Sequence, residues 1–437
     1  MAKLAVVSLG CTKNLVDTEI MLGQLIQTGW ELTENFGQAD LIIVNTCGFI
    51  ESAKEESIQQ ILEMSRYKKP PQGVCQKLVV AGCLVQRYLS ELKKELPEVD
   101  YWVGLGEIGE LSSLLQGAEI TTGKKPFLND QNLPRFQVTL KHTAYVKIAE
   151  GCSHGCSYCA IPLIKGRFRS RNLDSVIKEI TLLVQAGVKE INLIAQDITM
   201  YGQDLEPKVN LKILLEEIIR QANPQWIRLL YAYPAGIDAD LLSLIAKQPT
   251  ICKYLDLPLQ HINGRILKMM NRHEEPEVIR EKLLLIRSMA PGIVLRSTFI
   301  VGFPTETEKE FMELLQFVQE GYFEHVGAFA YSREEGTKSY EYKPQIKQMT
   351  KQNRQRFLME AQQKVAAPFL AGQVKQEKLI LIDEVGPDGL AIGRTEGFAP
   401  DIDGVVYLKD FKGNSGVFIK GMIVGSDTYN LWAKEIF

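Results

Sequence analysis

Between Thr143 and about Ala366 the chain alternates a short apolar run with an amphipathic stretch six times, a pattern few folds accept. The apolar runs are Ala144–Glu150, Glu190–Asp197, Trp226–Tyr233, Tyr254–Gln260, Ile293–Val301 and Glu324–Tyr331. They lack strict alternation, as strands buried on both faces do. Between them apolar residues recur at helical spacing: Val176, Ile180, Leu183 and Val184 make one face, and Leu211, Leu214, Leu215 and Ile218 another. Six consecutive βα units predict a partial TIM-like (β/α)6 barrel with its sites at the C-terminal ends of the strands. A doubly wound open sheet is the competing arrangement.

The flanks differ in kind. Residues 1–118 read as a smaller parallel α/β domain with strand-like runs at Lys3–Leu9, Asp40–Thr46 and Lys77–Ala81. One helix face there is Leu15, Ile20, Leu22, Leu25 and Ile26, closed by Gly29, and a second helix covers Glu51–Arg66. Residues 119–140 collect Gly, Pro and Asn and predict a linker before a core over 141–368. From 370 to 437, short runs at Glu377–Ile382, Leu390–Arg394, Gly404–Leu408, Gly416–Ile423 and Asp427–Ala433 predict a small all-β barrel. The expectation is thus an α/β multidomain protein. The 437 residues, 45% hydrophobic and 24% charged, have an ordinary soluble composition and suit about three domains. No uncharged apolar run approaches the ~18 residues of a membrane helix, and Leu4–Leu9 is too short for a signal sequence. We therefore expect no membrane partner and a cytoplasmic location.

Eight cysteines are too few for a disulfide scaffold of this size, so their spacing points to metal or catalysis. Cys152, Cys156 and Cys159 form a CxxxCxxC directly after the first barrel strand. Three thiolates on one tight loop can hold three irons of a cubane and leave the fourth iron without a protein ligand. A zinc site would need a fourth ligand, and His154 lies inside the loop. Cys11, Cys47 and Cys83 each close one N-terminal strand. Parallel strand exits share one edge, so these three can converge on a second cofactor. Cys75 and Cys252 fit neither set and read as structural.

At these residues the chain resembles the radical S-adenosylmethionine methylthiotransferases, over essentially its whole length. That family has an N-terminal domain with three cluster cysteines, a radical core and a C-terminal TRAM barrel. The segments Ile194–Gly202, Tyr254–His261, Ala330–Thr337 and Gly393–Gly404 are similar to the branch that modifies a ribosomal protein. The resemblance implies two four-iron, four-sulfur clusters, one on Cys152, Cys156 and Cys159 that binds S-adenosylmethionine, and an auxiliary one on Cys11, Cys47 and Cys83. It implies transfer of a methylthio group to the β-carbon of an aspartate in the twelfth small-subunit ribosomal protein. It also implies an external electron donor of flavodoxin or ferredoxin type. The rivals are methylthiolation of an adenosine in tRNA and a non-catalytic iron–sulfur carrier. Thr305 departs from the family pattern, standing where glycine is frequent, and Gln196-Asp197 replaces the superfamily's Gly-Gly-Glu.

Other candidate cofactor contacts carry a plainer alternative. Tyr158 packs near the adenine or merely covers the loop. Gln196 and Asp197 meet methionine or substrate, or form a polar rim. Arg296, a charge inside an apolar run, needs a partner: a cofactor carboxylate or an internal one such as Asp256. Gly302 admits the adenine closely or only ends its strand. His261 reads as a hydrogen-bonding rim residue. Lys165, Arg167, Arg169 and Arg171 form a basic stretch, read as a solvated face rather than an RNA surface. The tail barrel holds seven basic and ten acidic residues, which favours a basic protein as partner and makes RNA contact secondary.

Overall fold

The computed structural model describes residues 2–118 and 126–436; the expected linker's residues 119–125 lie outside them. In the N-terminal part β1 (Lys3–Ser8), β2 (Glu31–Leu32), β3 (Leu41–Thr46), β4 (Lys77–Gly82) and β5 (Tyr101–Val103) form a parallel sheet in the order β2-β1-β3-β4-β5. The two edge strands, β2 and β5, are too short to show a periodicity of their own. Leu41 and Ile43 pack toward helix α1 (Thr12–Gln27), whereas Ile42 and Val44 pack toward α2 (Glu51–Ser65) and α3 (Cys83–Glu95). Both faces are covered, which is why these strands read as continuous apolar runs. The strand order reverses between β1 and β3, and in such sheets the crevice for a ligand opens at that point.

The central sheet runs β6 (Thr143–Lys147), β7 (Glu190–Ile194), β8 (Trp226–Leu229), β9 (Ile251–Asp256), β10 (Val294–Val301) and β11 (His325–Ala330), all parallel and neighbours in chain order. An order that never reverses is that of a partial barrel; the doubly wound alternative requires a reversal. Ala144, Val146, Ile191, Leu193, Ile227 and Leu229 face the helices in one apolar core. The alternate residues Tyr145, Lys147, Arg228, Tyr254 and Arg296 face inward, and most are ion-paired or hydrogen-bonded.

Five strands between Glu377 and Glu435 close into the tail barrel after the long helix Gln348–Ala371. It seats against the first residues of the central strands. Arg394 bridges Glu190 (2.8 Å) and Asp383 (2.7 Å), Arg228 joins Glu190 at 2.9 Å, and Tyr254 Oη donates to Asp403 at 2.7 Å. This corrects the charge argument drawn from the tail. Asp383 and Asp403 are turned into the seam, Glu396 accepts from Lys253 N (2.8 Å) and Asp401 from Tyr145 Oη (2.9 Å). With those acids and Arg394 engaged, the outward charges of the tail nearly balance. Residues 126–140 also do more than connect: Arg135 is ion-paired to Glu19 of α1 (2.5 Å) and to Glu179 of the core (2.7 Å), strapping the two domains together.

Candidate functional site

Two of the three cysteine-bearing N-terminal strands leave the sheet through a glycine in left-handed backbone, Gly10 at φ +89° and Gly82 at φ +101°. A Cβ on Gly10 would stand 2.9 Å from Cys47 Cβ and 3.2 Å from its Sγ; one on Gly82 would stand 2.3 Å from Asn45 Oδ1. The tight exits deliver Cys11, the N-cap of α1, and Cys83, the first residue of α3, beside Cys47. Beneath them lies buried amide chemistry that the sequence pattern had not singled out. Asn14 donates to Thr46 O (2.9 Å) and accepts from Cys83 Sγ (3.4 Å), and Asn45 donates to Asn14 O (2.8 Å). Burial pushes the Cys83 thiol up to about 12 and Cys47 in the same direction, and Cys11 adds to both.

The second triplet rides on the loop after β6. Cys152 N donates to Gly166 O (3.1 Å), Ser157 Oγ to Met269 O (2.7 Å), and Asn271 Nδ2 to Gly155 O (2.9 Å). Burial pushes Cys152 up to about 11 and Cys159 to about 12, and Cys156 raises both further. Thiols held so ionise when a soft metal displaces their protons. Among the described residues no three His, Cys, Asp or Glu side chains converge tightly enough to ligate one ion. Three thiolates suffice for three irons of a cubane, whereas tetrahedral zinc needs a fourth ligand beside each triplet. His154, the spare zinc ligand, is taken: Nε2 lies 2.6 Å from Asp197 Oδ2, and the ring stacks on Tyr233 at 4.0 Å.

Between the triplets runs a buried ionic chain. Lys147 of β6 pairs with Asp17 of α1 and with Glu150 (3.1 Å), and Glu150 pairs with Lys165 (2.9 Å). Lys165 closes the short helix α4 (Ile161–Lys165) that follows the second triplet, and its charge reaches Cys83 and Cys11 of the first. The expected basic face is therefore corrected: Lys165 and Arg171 are buried on Glu150 and Glu179, and of the four only Arg167 is exposed. The signal was available, since Lys147 and Glu150 are charges inside an apolar run. A second tether joins Arg87 and Lys54 to Glu334 at 3.0 and 3.2 Å.

The other expected residues divide. Gln196 Nε2 donates to Glu150 Oε1 (2.8 Å) at the barrel mouth. Asp197 faces His154 and also accepts from Thr199 N (2.8 Å), so its oxygens are engaged within the protein. Arg296, offered to a cofactor carboxylate, instead holds Asp256 (3.0 Å) and Asp403 (3.5 Å), because burial demanded an internal partner. Tyr158 packs with Ile266, Met270, Phe303 and Tyr331. Gly302 has φ +71°, and a Cβ there would meet Lys351 Cγ at 2.4 Å. His261 is buried and held neutral by desolvation, accepting from Asn263 N (3.0 Å). Thr305 has φ +68°, the physical reason glycine is at home there.

Residues 3–104 match the uncharacterized protein family UPF0004, residues 146–318 the radical SAM superfamily and residues 376–436 the TRAM domain. The chain is 47% identical to the ribosomal protein uS12 methylthiotransferase RimO of Geotalea uraniireducens, over 98% of this chain and 97% of that protein. To its counterpart in Clostridioides difficile it is 43% identical, over 100% and 99%. The chain belongs to the RimO family. It is a transferase of the radical S-adenosylmethionine class, and a pair of four-iron clusters fits this RimO-family chain and its two thiol triplets. The fold is similar to that of the radical S-adenosylmethionine methyltransferase TsrM from Kitasatospora setae, solved with cobalamin and a four-iron, four-sulfur cluster (TM-score 0.55, 18% identity, 76% of this chain and 73% of that one). Among the described residues no helix is long and apolar enough to cross a membrane.

Proposed function

We propose that this chain attaches a methylthio group to the β-carbon of an aspartate in ribosomal protein uS12. The observation that carries the reading is the near full-length likeness to uS12 methylthiotransferases, in a chain where α3, which begins at Cys83, packs against α4, which follows Cys159. Removing hydrogen from an unactivated carbon is beyond any side chain, and the clusters with S-adenosylmethionine supply that chemistry when bound. In our reading Cys11, Cys47 and Cys83 hold the auxiliary cluster, and Cys152, Cys156 and Cys159 hold the one that binds S-adenosylmethionine. Tyr158, Gln196 and the backbone at Gly302 line the cofactor's place at the barrel mouth. Asp197 serves it indirectly by orienting His154, and Arg296 by locking the tail barrel. The buried ionic chain excludes water and fixes the spacing of the triplets.

The reaction consumes electrons, so we assign an external donor of flavodoxin or ferredoxin type, and we place the enzyme in the cytoplasm beside its ribosomal substrate. A secondary contact with RNA suits the tail. Tyr407 and Trp432 pair at 4.8 Å on its outer face with Lys409 beside them, a stacking surface bases can use. The test is anaerobic reconstitution with uS12 and, separately, with tRNA, followed by mass spectrometry. A methylthio adduct on the uS12 aspartate is expected; adduct on tRNA alone would overturn the assignment.

A further inference from the structure

Most cations at the seam have an acid to answer them. Lys147 has Asp17 and Glu150, Lys165 has Glu150, Arg87 has Glu334 and Arg272 has Glu274 (3.6 Å). Lys13 has none among the described residues. It lies two positions past Cys11 on the first turn of α1, is 7% exposed, and crosses the seam to place its ammonium 3.1 Å from the centre of the Tyr231 ring. An aromatic face returns only part of what burying a charge costs.

Tyr231 is itself held firmly. It follows β8 at the barrel mouth with φ +65°, unusual for any residue but glycine. Its N–H donates to Asp256 Oδ2 (3.1 Å) and its carbonyl accepts from Ile198 N (3.1 Å), next to Gln196 and Asp197. A strained residue locked on both sides, under a buried cation lacking a counter-charge, is the arrangement of a site whose anion arrives with the substrate.

We propose that Lys13 binds the β-carboxylate of the target aspartate, so that ammonium and Tyr231 ring form a pocket for one acidic side chain between the two thiol triplets. The inference rests on the function proposed above. The carbon to be modified is bonded to that carboxylate, so gripping the carboxylate also aims the carbon's hydrogens. An asparagine in the same place would leave the buried charge unanswered, which is how a polar site rejects a near-isostere. The competing use of Lys13, two positions past Cys11, is to offset the thiolates, and the iron content of K13Q separates that use from substrate binding.

The test uses the full-length, anaerobically reconstituted enzyme with uS12 as substrate and uS12 carrying Asn at the target position as competitive inhibitor. For K13Q with wild-type iron content, KM for uS12 should rise about 10- to 100-fold, the worth of a buried charge-assisted hydrogen bond. The kcat should fall by a smaller factor. The wild type should bind the Asn form more weakly than the Asp form by a similar factor; K13Q should close that gap, and K13R should restore it in part. Unchanged KM, an undiminished Asp/Asn gap in K13Q, or activity lost only in proportion to lost iron would each overturn the inference and leave the proposed function standing. A wild-type enzyme that leaves uS12 unmodified would instead remove both.

Discussion

Exchanging Glu150 for glutamine probes the seam most directly, because shape is kept and one charge is lost. Glu150 Oε1 lies 2.9 Å from Lys165 and accepts from Gln196 at 2.8 Å, while Oε2 lies 3.1 Å from Lys147; all three side chains bonded through charge, with Asp17, are buried. Burial alone would raise the Glu150 pKa, yet Lys165 and Lys147 outweigh it and hold the carboxyl far below the usual range. In E150Q two buried ammoniums share Asp17, and the new amide N–H2 faces one of them. Removing one partner of a buried pair costs about 3–5 kcal/mol. For a core of this size, at about 2–4 °C per kcal/mol, Tm should drop by roughly 6–20 °C. Calorimetry of the apo and reconstituted proteins, with iron counted per chain, measures it. Adding Lys165→Met should recover part of the loss, since it removes the charge that E150Q orphans. A drop under about 2 °C with iron intact would refute the buried ionic chain as a stabilising element.

Three further outcomes are expected. Gly82→Ala puts a Cβ 2.3 Å from Asn45 Oδ1 in backbone at φ +101°, so reconstituted iron should fall from about eight per chain toward four, as counted colorimetrically with the radical cluster's spectrum retained. Cys152→Ala should abolish cleavage of S-adenosylmethionine, whereas Cys47→Ala should leave it measurable by chromatography and stop methylthio transfer. Glu190 gives a pH signature. Burial raises its pKa, but Arg394 and Arg228 bring it from 4.5 down to about 2. A depressed carboxyl stabilises the fold above its unfolded pKa and loses that contribution as pH falls from about 4.5 toward 2. Urea unfolding of the apoprotein should lose roughly 3 kcal/mol across that window, and Glu190→Gln should flatten the loss.

How much of this was open to the sequence depends on the kind of interaction. Strands buried on both faces are written as apolar runs, so β3, β4 and the six central strands are legible, and cysteines at their ends follow from parallel topology. Partners across domains are not legible, because nothing local ties Asp17 to Lys147 or Glu190 to Arg394. The half that is legible is the demand for a partner. Arg296 declares that demand from within its strand, and Lys147, Glu190 and Arg228 do so equally. Taken together they state more than any one alone. A closed eight-stranded barrel fills its interior with branched aliphatics; six strands leave a gap, and here the inward positions carry charge. Such an interior cannot be left to water at both ends without losing its pairs to solvent. The N-terminal domain caps one end through Asp17, and the tail barrel caps the other through Arg394, Asp383 and Asp403. The three domains are thus one electrostatic unit. Lys13, buried on the Tyr231 ring with no acid beside it among the described residues, is the place in this interior that we assign to the substrate's anion.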